Sequence, residues 1–263
     1  MRNHRIRPFS IDERGLWFET QYGFSVYSNL KDRILNLDTN PAWEEMESTF
    51  IINNLSQGDV FVDVGANIGY FSMLAAQQKA SKVFAVEPIP KTYEMLNVNI
   101  EHNLFTGVIE PVNLALGSQE YTARFTCSLG PKNHMQYDVD NIHHDLPTID
   151  VKVTTLDKLL ADRKEIKRID FVKVDIEGAE YSFLLGAERT MKAFKPIVMM
   201  EIEEHRLTKY NVTAENILTF MSDLGYKYLC VAEDSITEGN ILPEELKRGR
   251  DFIFYTADHN LTY

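Results

Sequence analysis

The chain has 263 residues, of which 44% are hydrophobic and 25% charged, the balance of a soluble globular protein. This length suits one α/β domain, or one domain with an appended segment. The formal net charge of −12 argues against nucleic acid as the main partner, because a phosphate backbone requires a basic face. No uninterrupted apolar run reaches the length of a transmembrane helix, so no membrane span is expected.

The amino terminus and the cysteines bear on the compartment. Residues 1–8 contain no apolar segment of the kind that secretory signals carry. Cys127 and Cys230 stand far apart without metal-ligand spacing, and we expect buried thiols in a reducing compartment. These features favour a cytoplasmic protein.

Residues 1–57 are predicted to form an amino-terminal flap and helix. Two short strands, Trp17–Thr20 and Phe24–Tyr27, flank a glycine turn and predict a hairpin. Asn40-Pro41 then opens a helix that extends to Leu55, because Asn is a good N-cap and Pro suits the first helical position. We expect this aromatic flap to cap a substrate site or to contact a second subunit in a homodimer.

Residues 58–263 alternate between strand and helix patterns. This alternation predicts a Rossmann-like, doubly wound α/β fold whose mostly parallel sheet has seven strands. The last two strands have no helix between them and are expected to pair as an antiparallel hairpin at the edge. The predicted strands are Val60–Val64, Lys82–Glu87, Val108–Asn113, Ile169–Asp175, Pro196–Ile202, Tyr226–Val231 and Asp251–Tyr255. The predicted helices are Ile68–Gln78, Lys91–Asn103, Leu156–Leu160, Glu180–Phe194 with a break near Gly186, and Thr213–Leu224.

The alternation is interrupted over residues 115–155. Tyr121–Thr126 and Val151–Val153 are predicted as extra strands. Between them, residues 127–147 are polar and turn-rich and contain His134, His143 and His144. A long irregular loop in a compact domain is usually functional or disordered, so a substrate lid and a mobile surface excursion both remain open.

The stretch Val60–Gly69 is the most informative part of the chain. It predicts a buried strand that carries Asp63 near its carboxyl end, then a turn between Gly65 and Gly69, then a helix. Ligands of open α/β sheets bind outside the carboxyl ends of the strands, so this turn indicates a small-molecule cofactor site. The turn lacks the second glycine of the dinucleotide fingerprint, which disfavours NAD. A close-packed corner between strand and helix is the alternative interpretation.

Further carboxylates end the neighbouring strands. Glu87 ends the second predicted strand, where an acidic residue typically accepts hydrogen bonds from a ribose diol. Asp175 and Glu201 end the fourth and fifth strands, and we call Asp63, Glu87, Asp175 and Glu201 the carboxylate rim. A solvated helix start is the alternative for the segment around Asp175, since acidic residues suit a helix N-terminus. His205 follows Glu201 and is a candidate base, although a solvent-exposed histidine would fit equally well.

In combination, these segments resemble the FkbM-type S-adenosylmethionine-dependent methyltransferases. The resemblance spans about residues 58–205 and implies a class I methyltransferase fold that uses S-adenosyl-L-methionine. Members of that family typically methylate hydroxyl oxygens, often on sugars or secondary metabolites. The matching segments are Phe61–Tyr70, Phe84–Pro90, Asn97–Asn103, Val112–Gly117, Val153–Asp157, Phe171–Glu180 and Gly186–Ala187.

The resemblance also implies roles for individual residues. The methionine part of the cofactor would lie against the first motif, and Glu87 with Pro88 would hold the ribose. Asp175 would lie close to the methionine amine or the methyl centre. The first motif comprises Asp63, Gly65, Ala66, Asn67 and Gly69, the adenine edge comprises Asn113, Leu114 and Ala115, and the acceptor side comprises Lys173, Glu177 and Glu201.

Methyl transfer to a hydroxyl requires a group that takes the proton, because a hydroxyl is a poor nucleophile. Asp175 or His205 is the hypothesis, with Glu201 and Lys173 beside them, and the loop histidines are rivals. A divalent metal between Asp175 and Glu201 is an alternative, although no metal site is predicted. An NAD-linked oxidoreductase and a non-catalytic S-adenosylmethionine-binding module are the remaining alternatives for the function. The acceptor is expected to be a small molecule or a glycan.

Overall fold

The structure is a computed structural model that describes residues 9–13, 15–28, 44–126, 148–232, 235–238 and 250–262. The predicted helix start at Asn40-Pro41, the loop 127–147 with its three histidines, and Cys127 lie outside the described residues. The strands are β1 (Phe9–Ile11), β2 (Leu16–Glu19), β3 (Ser25–Ser28), β4 (Val60–Val64), β5 (Lys82–Val86), β6 (Ile109–Val112), β7 (Ala115–Leu116), β8 (Tyr121–Thr126), β9 (Thr148–Thr154), β10 (Phe171–Val174), β11 (Ile197–Ile202), β12 (Lys227–Ala232), β13 (Ser235–Glu238) and β14 (Arg250–Tyr255). The helices are α1 (Glu45–Asn54), α2 (Tyr70–Gln77), α3 (Pro90–His102), α4 (Leu156–Ala161), α5 (Glu180–Gly186), α6 (Glu188–Phe194), α7 (Glu204–Leu207) and α8 (Ala214–Asp223).

The central sheet has the strand order β13-β12-β14-β11-β10-β4-β5-β6. Neighbouring strands from β11 to β6 pair in parallel, which confirms the predicted doubly wound α/β fold. All seven predicted strands are present, and β13 adds an eighth at the edge.

The predicted antiparallel pair of β12 and β14 forms at one end of the sheet, where, of the described strands, only the short β13 lies outside it. β14 lies between β11 and β12 and is antiparallel to both. Its residues Phe252, Ile253 and Phe254 are fully buried. Their apolar side chains explain the central position, because a strand that is apolar on both faces is stable only where both faces are covered.

Two hydrophobic clusters cover the two faces of the sheet. Alternating strand residues divide between them, so that Phe61 and Phe171 belong to one cluster and Val62 and Val172 to the other. Helices α1, α2 and α3 contribute to the first cluster, and α4, α5, α6 and α8 to the second. Among the described residues, no helix is both long and apolar enough to cross a bilayer.

The amino-terminal strands form a separate antiparallel sheet, β1-β2-β3, which confirms the predicted hairpin. This sheet packs on α3, where Trp17 stacks on the ring of His102 with a centroid separation of 3.5 Å. Trp17 and Phe24 are buried within their own chain. Their aromatic surface is therefore covered by other residues of the same chain.

A third sheet, with the order β7-β9-β8, lies beside the exit of β5. Strands β8 and β9 confirm the two extra strands that the sequence predicted. Ile89, which follows β5, packs in a small cluster with Ala115, Phe125 and Val151 of this sheet. Strand β7 was not predicted, because two residues carry no periodicity.

Candidate functional site

A pocket lies at the carboxyl ends of β4 and β10, where the sequence predicted a ligand. It encloses about 440 Å³ of empty space, part of it open to solvent. Its walls come from the strand ends, the turn after β4, the first turn of α2 and the residue before α1. They are Glu44, Asp63, Gly65, Ala66, Asn67, Ile68, Tyr70, Phe71, Lys173 and Asp175.

The two glycines of the turn are required by packing within the protein. Gly65 has φ +82°, and an added Cβ would lie 1.9 Å from the backbone oxygen of Asp175. Gly69 has φ +93°, and a Cβ there would lie 2.5 Å from Leu96 Cδ1. The close-packed corner therefore accounts for both glycines, and the evidence for a ligand rests on the side chains of the pocket.

Asp63 and Glu87 are buried carboxylates with defined hydrogen bonds. Ser72 Oγ donates to Asp63 Oδ2 over 2.6 Å. Burial raises the pKa of Asp63 to about 6, although the Ser72 hydrogen bond and the charge of Lys173 oppose the shift. Glu87 accepts from the backbone N–H groups of Asn67 and Ile89 at 3.0 and 2.9 Å, and burial raises its pKa to about 7.

Asn67 presents an acceptor that the described residues do not use. Its backbone is left-handed, with φ 51°, and its N–H is held by Glu87. Its side-chain Oδ1 is buried and accepts no hydrogen bond from the described part of the chain. A buried acceptor without a donor is costly, so a hydroxyl or ammonium ligand in this pocket would satisfy it.

Lys173 is a buried ammonium on the pocket wall. Its side chain is 3% exposed, and its Nζ lies 3.7 Å from Asp175 Oδ2 and 3.8 Å from Asp251 Oδ1. The same Nζ lies 5.2 Å from the ring centroid of Phe71. Burial alone would lower the pKa of Lys173, but the surrounding carboxylates, Asp175 first, raise it well above its usual range.

Arg206 forms ion pairs with three glutamates near Asp175. It pairs with Glu177 and Glu203, and its Nη1 lies 3.2 Å from Glu201 Oε2. Burial, followed by the charge of Asp175, raises the pKa of Glu201 to about 9. Glu201 and Glu177 are thus engaged by Arg206 and do not line the pocket. Within the described ranges, no three His, Cys, Asp or Glu side chains are grouped as metal ligands.

His205 is not brought into the pocket. Its side chain is 65% exposed on α7, and its Nε2 lies 3.4 Å from Glu203 Oε2. The residues that line the pocket include Asp175 but not His205. This placement matches the solvent-exposed alternative that the sequence left open.

The residues expected at the ribose and adenine lie outside the lining of this pocket. Asn113 Nδ2 donates to the backbone oxygens of Glu87 and Pro88 over 2.9 and 3.1 Å. Leu114 packs against the second core cluster, and Ala115 is buried in β7. Asn113 thus holds the backbone after β5. None of the five residues Glu87, Pro88, Asn113, Leu114 and Ala115 is part of the pocket lining.

Several site residues were missed by sequence reasoning. Tyr70 and Phe71 line the pocket because they open α2 directly after Gly69, a position that the motif could have indicated. Glu44 enters through the packing of α1, and burial raises its pKa to about 8. Asp251 begins the apolar part of β14 and shares a hydrogen bond with Glu47. The signal for Asp251 was available, because an antiparallel strand starts where its parallel neighbours end.

The chain is similar to several known methyltransferases. Methyltransferase sdnD of Sordaria araneosa is 28% identical over 164 residues, which are 52% of this chain and 63% of that protein. Hexuronic acid methyltransferase AglP of Haloferax volcanii is 26% identical over 152 residues, 57% of this chain and 58% of that protein. A crystal structure of methyltransferase FkbM from Methylobacillus flagellatus KT is 20% identical with a TM-score of 0.47, covering 76% of this chain and 44% of the other.

The chain therefore spans about three fifths of the length of these two curated relatives, at 63% and 58%. The family model described as the methyltransferase FkbM domain matches residues 63–228. This match begins near the end of β4 and contains the turn after it, the carboxylate rim and the strands β5 to β11. The chain belongs to the FkbM methyltransferase domain family.

Proposed function

We propose that the chain is an S-adenosyl-L-methionine-dependent O-methyltransferase that acts on a hydroxyl of a small molecule, a sugar or glycan or a secondary metabolite. The observation that carries the proposal is the pocket at the ends of β4 and β10, in a chain of this family. Asn67 lines this pocket with Asp63 and Asp175, and its buried Oδ1 accepts no hydrogen bond from the described part of the chain.

The residues present fit this cofactor. Asn67 Oδ1 and Asp63 offer acceptors for the methionine ammonium, and Glu87 retains lone pairs for ribose hydroxyls after accepting two backbone hydrogen bonds. Asn113, on the side proposed for adenine, donates to the backbone oxygens of Glu87 and Pro88. When bound, the cofactor supplies a methyl group attached to a sulfonium sulfur. Transfer of the methyl group releases a neutral thioether, which is an excellent leaving group.

Asp175 is the proposed general base. It lies in the pocket wall and ends β10, whereas His205 is exposed outside the pocket. Asp175 accepts the proton that the hydroxyl loses as its oxygen bonds to the methyl carbon, and the electron pair of the broken carbon–sulfur bond remains on sulfur. Lys173 is proposed to line the acceptor side, with Glu201 beside it but outside the described pocket lining. The loop histidines 134, 143 and 144 stay rivals outside the described residues.

The acceptor is proposed to be a neutral polyol or sugar derivative. The name of the Haloferax volcanii relative gives a hexuronic acid as the acceptor of that protein, which supports a sugar here. Residues 1–57 are proposed to cap the acceptor or to form a dimer contact, and the position of Glu44 in the pocket wall supports a cap. A cytoplasmic location is part of the same proposal.

Two measurements test this function. Thermal stabilisation by S-adenosylhomocysteine but not by NAD is expected, because a ligand that binds the folded state raises the melting temperature. Methyl-labelled cofactor incubated with sugar and metabolite fractions should then label an acceptor. Stabilisation by NAD alone would favour an oxidoreductase. Binding of S-adenosylhomocysteine without any labelled acceptor would favour a non-catalytic module.

A further inference from the structure

Asp251 lies outside the family match, which ends at residue 228. It pairs with Glu201 in the register between β14 and β11. Because β14 runs antiparallel, its amino end lies at the carboxyl ends of the parallel strands. Asp251 therefore lies next to the carboxylate rim through the topology of the sheet.

The contacts of Asp251 converge on Lys173. Lys173 Nζ lies 3.8 Å from Asp251 Oδ1 and 3.7 Å from Asp175 Oδ2, so two carboxylates from two strands hold one buried ammonium. Both separations exceed the roughly 2.9 Å of an ordinary N–H···O hydrogen bond. The ammonium can therefore still donate to an oxygen in the pocket that it lines.

Several carboxyl groups surround Lys173. Among the residues that line the described pocket, it is the single cation, beside the carboxyl groups of Glu44, Asp63 and Asp175. Two further carboxyl groups face it from neighbouring elements, Glu47 of α1 and Glu201 of β11. Arg206 of α7 is already paired with Glu177, Glu201 and Glu203. If the Asp175 side chain rotates toward a bound ligand and away from Lys173, Asp251 is the carboxylate that still pairs with the Lys173 ammonium.

We propose that Asp251 is a positioning residue: it holds the Lys173 ammonium beside Asp175, where Lys173 donates a hydrogen bond to the acceptor oxygen while Asp175 takes its proton. This inference rests on the proposed function and deepens it. Without Asp251, Lys173 pairs with Asp175 alone, and both side chains leave the geometry that the acceptor needs. Asp251 is half-buried, and a hydrogen bond with Glu47 fixes its carboxylate.

The test compares Asp251→Asn, Lys173→Met and the double variant, using the acceptor found with the labelled cofactor. Asp251→Asn should lower kcat by about 100-fold, the cost of a displacement of roughly 1 Å, with unchanged affinity for S-adenosylhomocysteine. Lys173→Met should lower both kcat and the melting temperature, because it leaves buried carboxylates unpaired. The double variant restores the charge balance, so its melting temperature should recover while kcat stays low.

Asp170→Asn is the matched control. The Asp170 side chain is 18% exposed, close to the 20% of Asp251, and it pairs with Arg168 at the opposite end of β10. It should lower the melting temperature and leave kcat unchanged. Wild-type kcat in Asp251→Asn, or kcat that recovers with the melting temperature in the double variant, overturns the inference. Failure of the wild-type protein to bind S-adenosylhomocysteine would instead reject the proposed function.

Discussion

At the single-residue scale, burial is the main cause of the raised pKa values of several carboxyl groups. Asp63, Glu87 and Glu180 are each nearly inaccessible to solvent, and burial is the main cause of their raised pKa values of about 6, 7 and 7. The sequence placed these residues at strand ends and a helix start. Their partners, Ser72, the N–H of Asn67 and the N–H of Gly178, follow from how the turns fold back.

Asp175→Asn and His205→Ala separate the two candidate bases. Asp175→Asn should reduce kcat by roughly 10²- to 10⁴-fold, the usual contribution of a general base. His205→Ala should leave kcat unchanged, since the imidazole is exposed and paired with Glu203. Steady-state kinetics on the labelled acceptor give the comparison. A large loss in His205→Ala together with full activity in Asp175→Asn would reverse the assignment.

At the scale of elements, α3 joins the amino-terminal sheet to the turn after β4. Asn99 is fully buried, and its Oδ1 accepts from the N–H of Tyr27 while its Nδ2 donates to the backbone oxygen of Ile68, both over 2.8 Å. Asn103, one turn later, binds both backbone groups of Ser25. One asparagine therefore contacts the pocket lining and the other does not.

Asn99→Ala and Asn103→Ala form a matched pair that tests this connection. Each should cost about 1–3 kcal/mol of unfolding free energy, because buried backbone groups lose their partners. Asn99→Ala should in addition weaken the binding of S-adenosylhomocysteine, since Ile68 lines the pocket. Calorimetry and chemical denaturation measure the two effects. Equal affinity in both variants would show that the sheet and the pocket are independent.

Gly65→Ala tests the junction of β4 with β10, and Gly58→Ala is its control. Both glycines have positive φ, +82° and +92°, but a Cβ at Gly58 meets nothing within 4 Å. Gly58→Ala should cost only the backbone strain, about 1–2 kcal/mol. Gly65→Ala adds a clash with Asp175, of the order of another 1–3 kcal/mol. Equal losses in denaturant titrations would show that packing against Asp175 does not require this glycine.

At the scale of the whole molecule, the carboxyl groups with raised pKa values determine how stability depends on pH. The pKa values of Glu47 and Glu201 are raised to about 7 and 9, mainly by burial. The folded chain therefore binds more protons than the unfolded chain between the ordinary carboxyl pKa and these values. The stability that Glu47 and Glu201 contribute is fully present below their pKa in the unfolded chain. It is lost as the pH rises through their pKa in the folded chain.

The melting temperature should accordingly fall as the pH rises from about 5 to 9 at constant ionic strength. His259 acts in the opposite direction, because burial lowers its pKa and it destabilises the fold when the pH falls. Glu201→Gln should flatten the upper part of the curve, since it removes the group with the highest of these values. A melting temperature that rises steadily over this range would contradict the expectation.

The order of strands and helices could be predicted because it depends on local pattern. β-Branched and aromatic runs such as Val60–Val64 are buried on both faces, and the turns between them carry glycine or proline. The ends of β4, β5, β10 and β11 meet at one edge, so the carboxylate rim followed from strand ends alone. Helix α7 and strand β7 escaped prediction because each is too short to show a period.

The sequence by itself determined the fold class, the turn after β4 and the family, since these depend on short segments with their own periodicity and spacing. Tertiary structure alone decided which side chains share the pocket. Glu44 and Asp251 are brought to Lys173 by α1 and β14, more than 70 residues away in either direction, whereas His205, only four residues past the rim, points into solvent. The physical reason is that a site depends on packing between elements, and packing joins residues without regard to their distance along the chain.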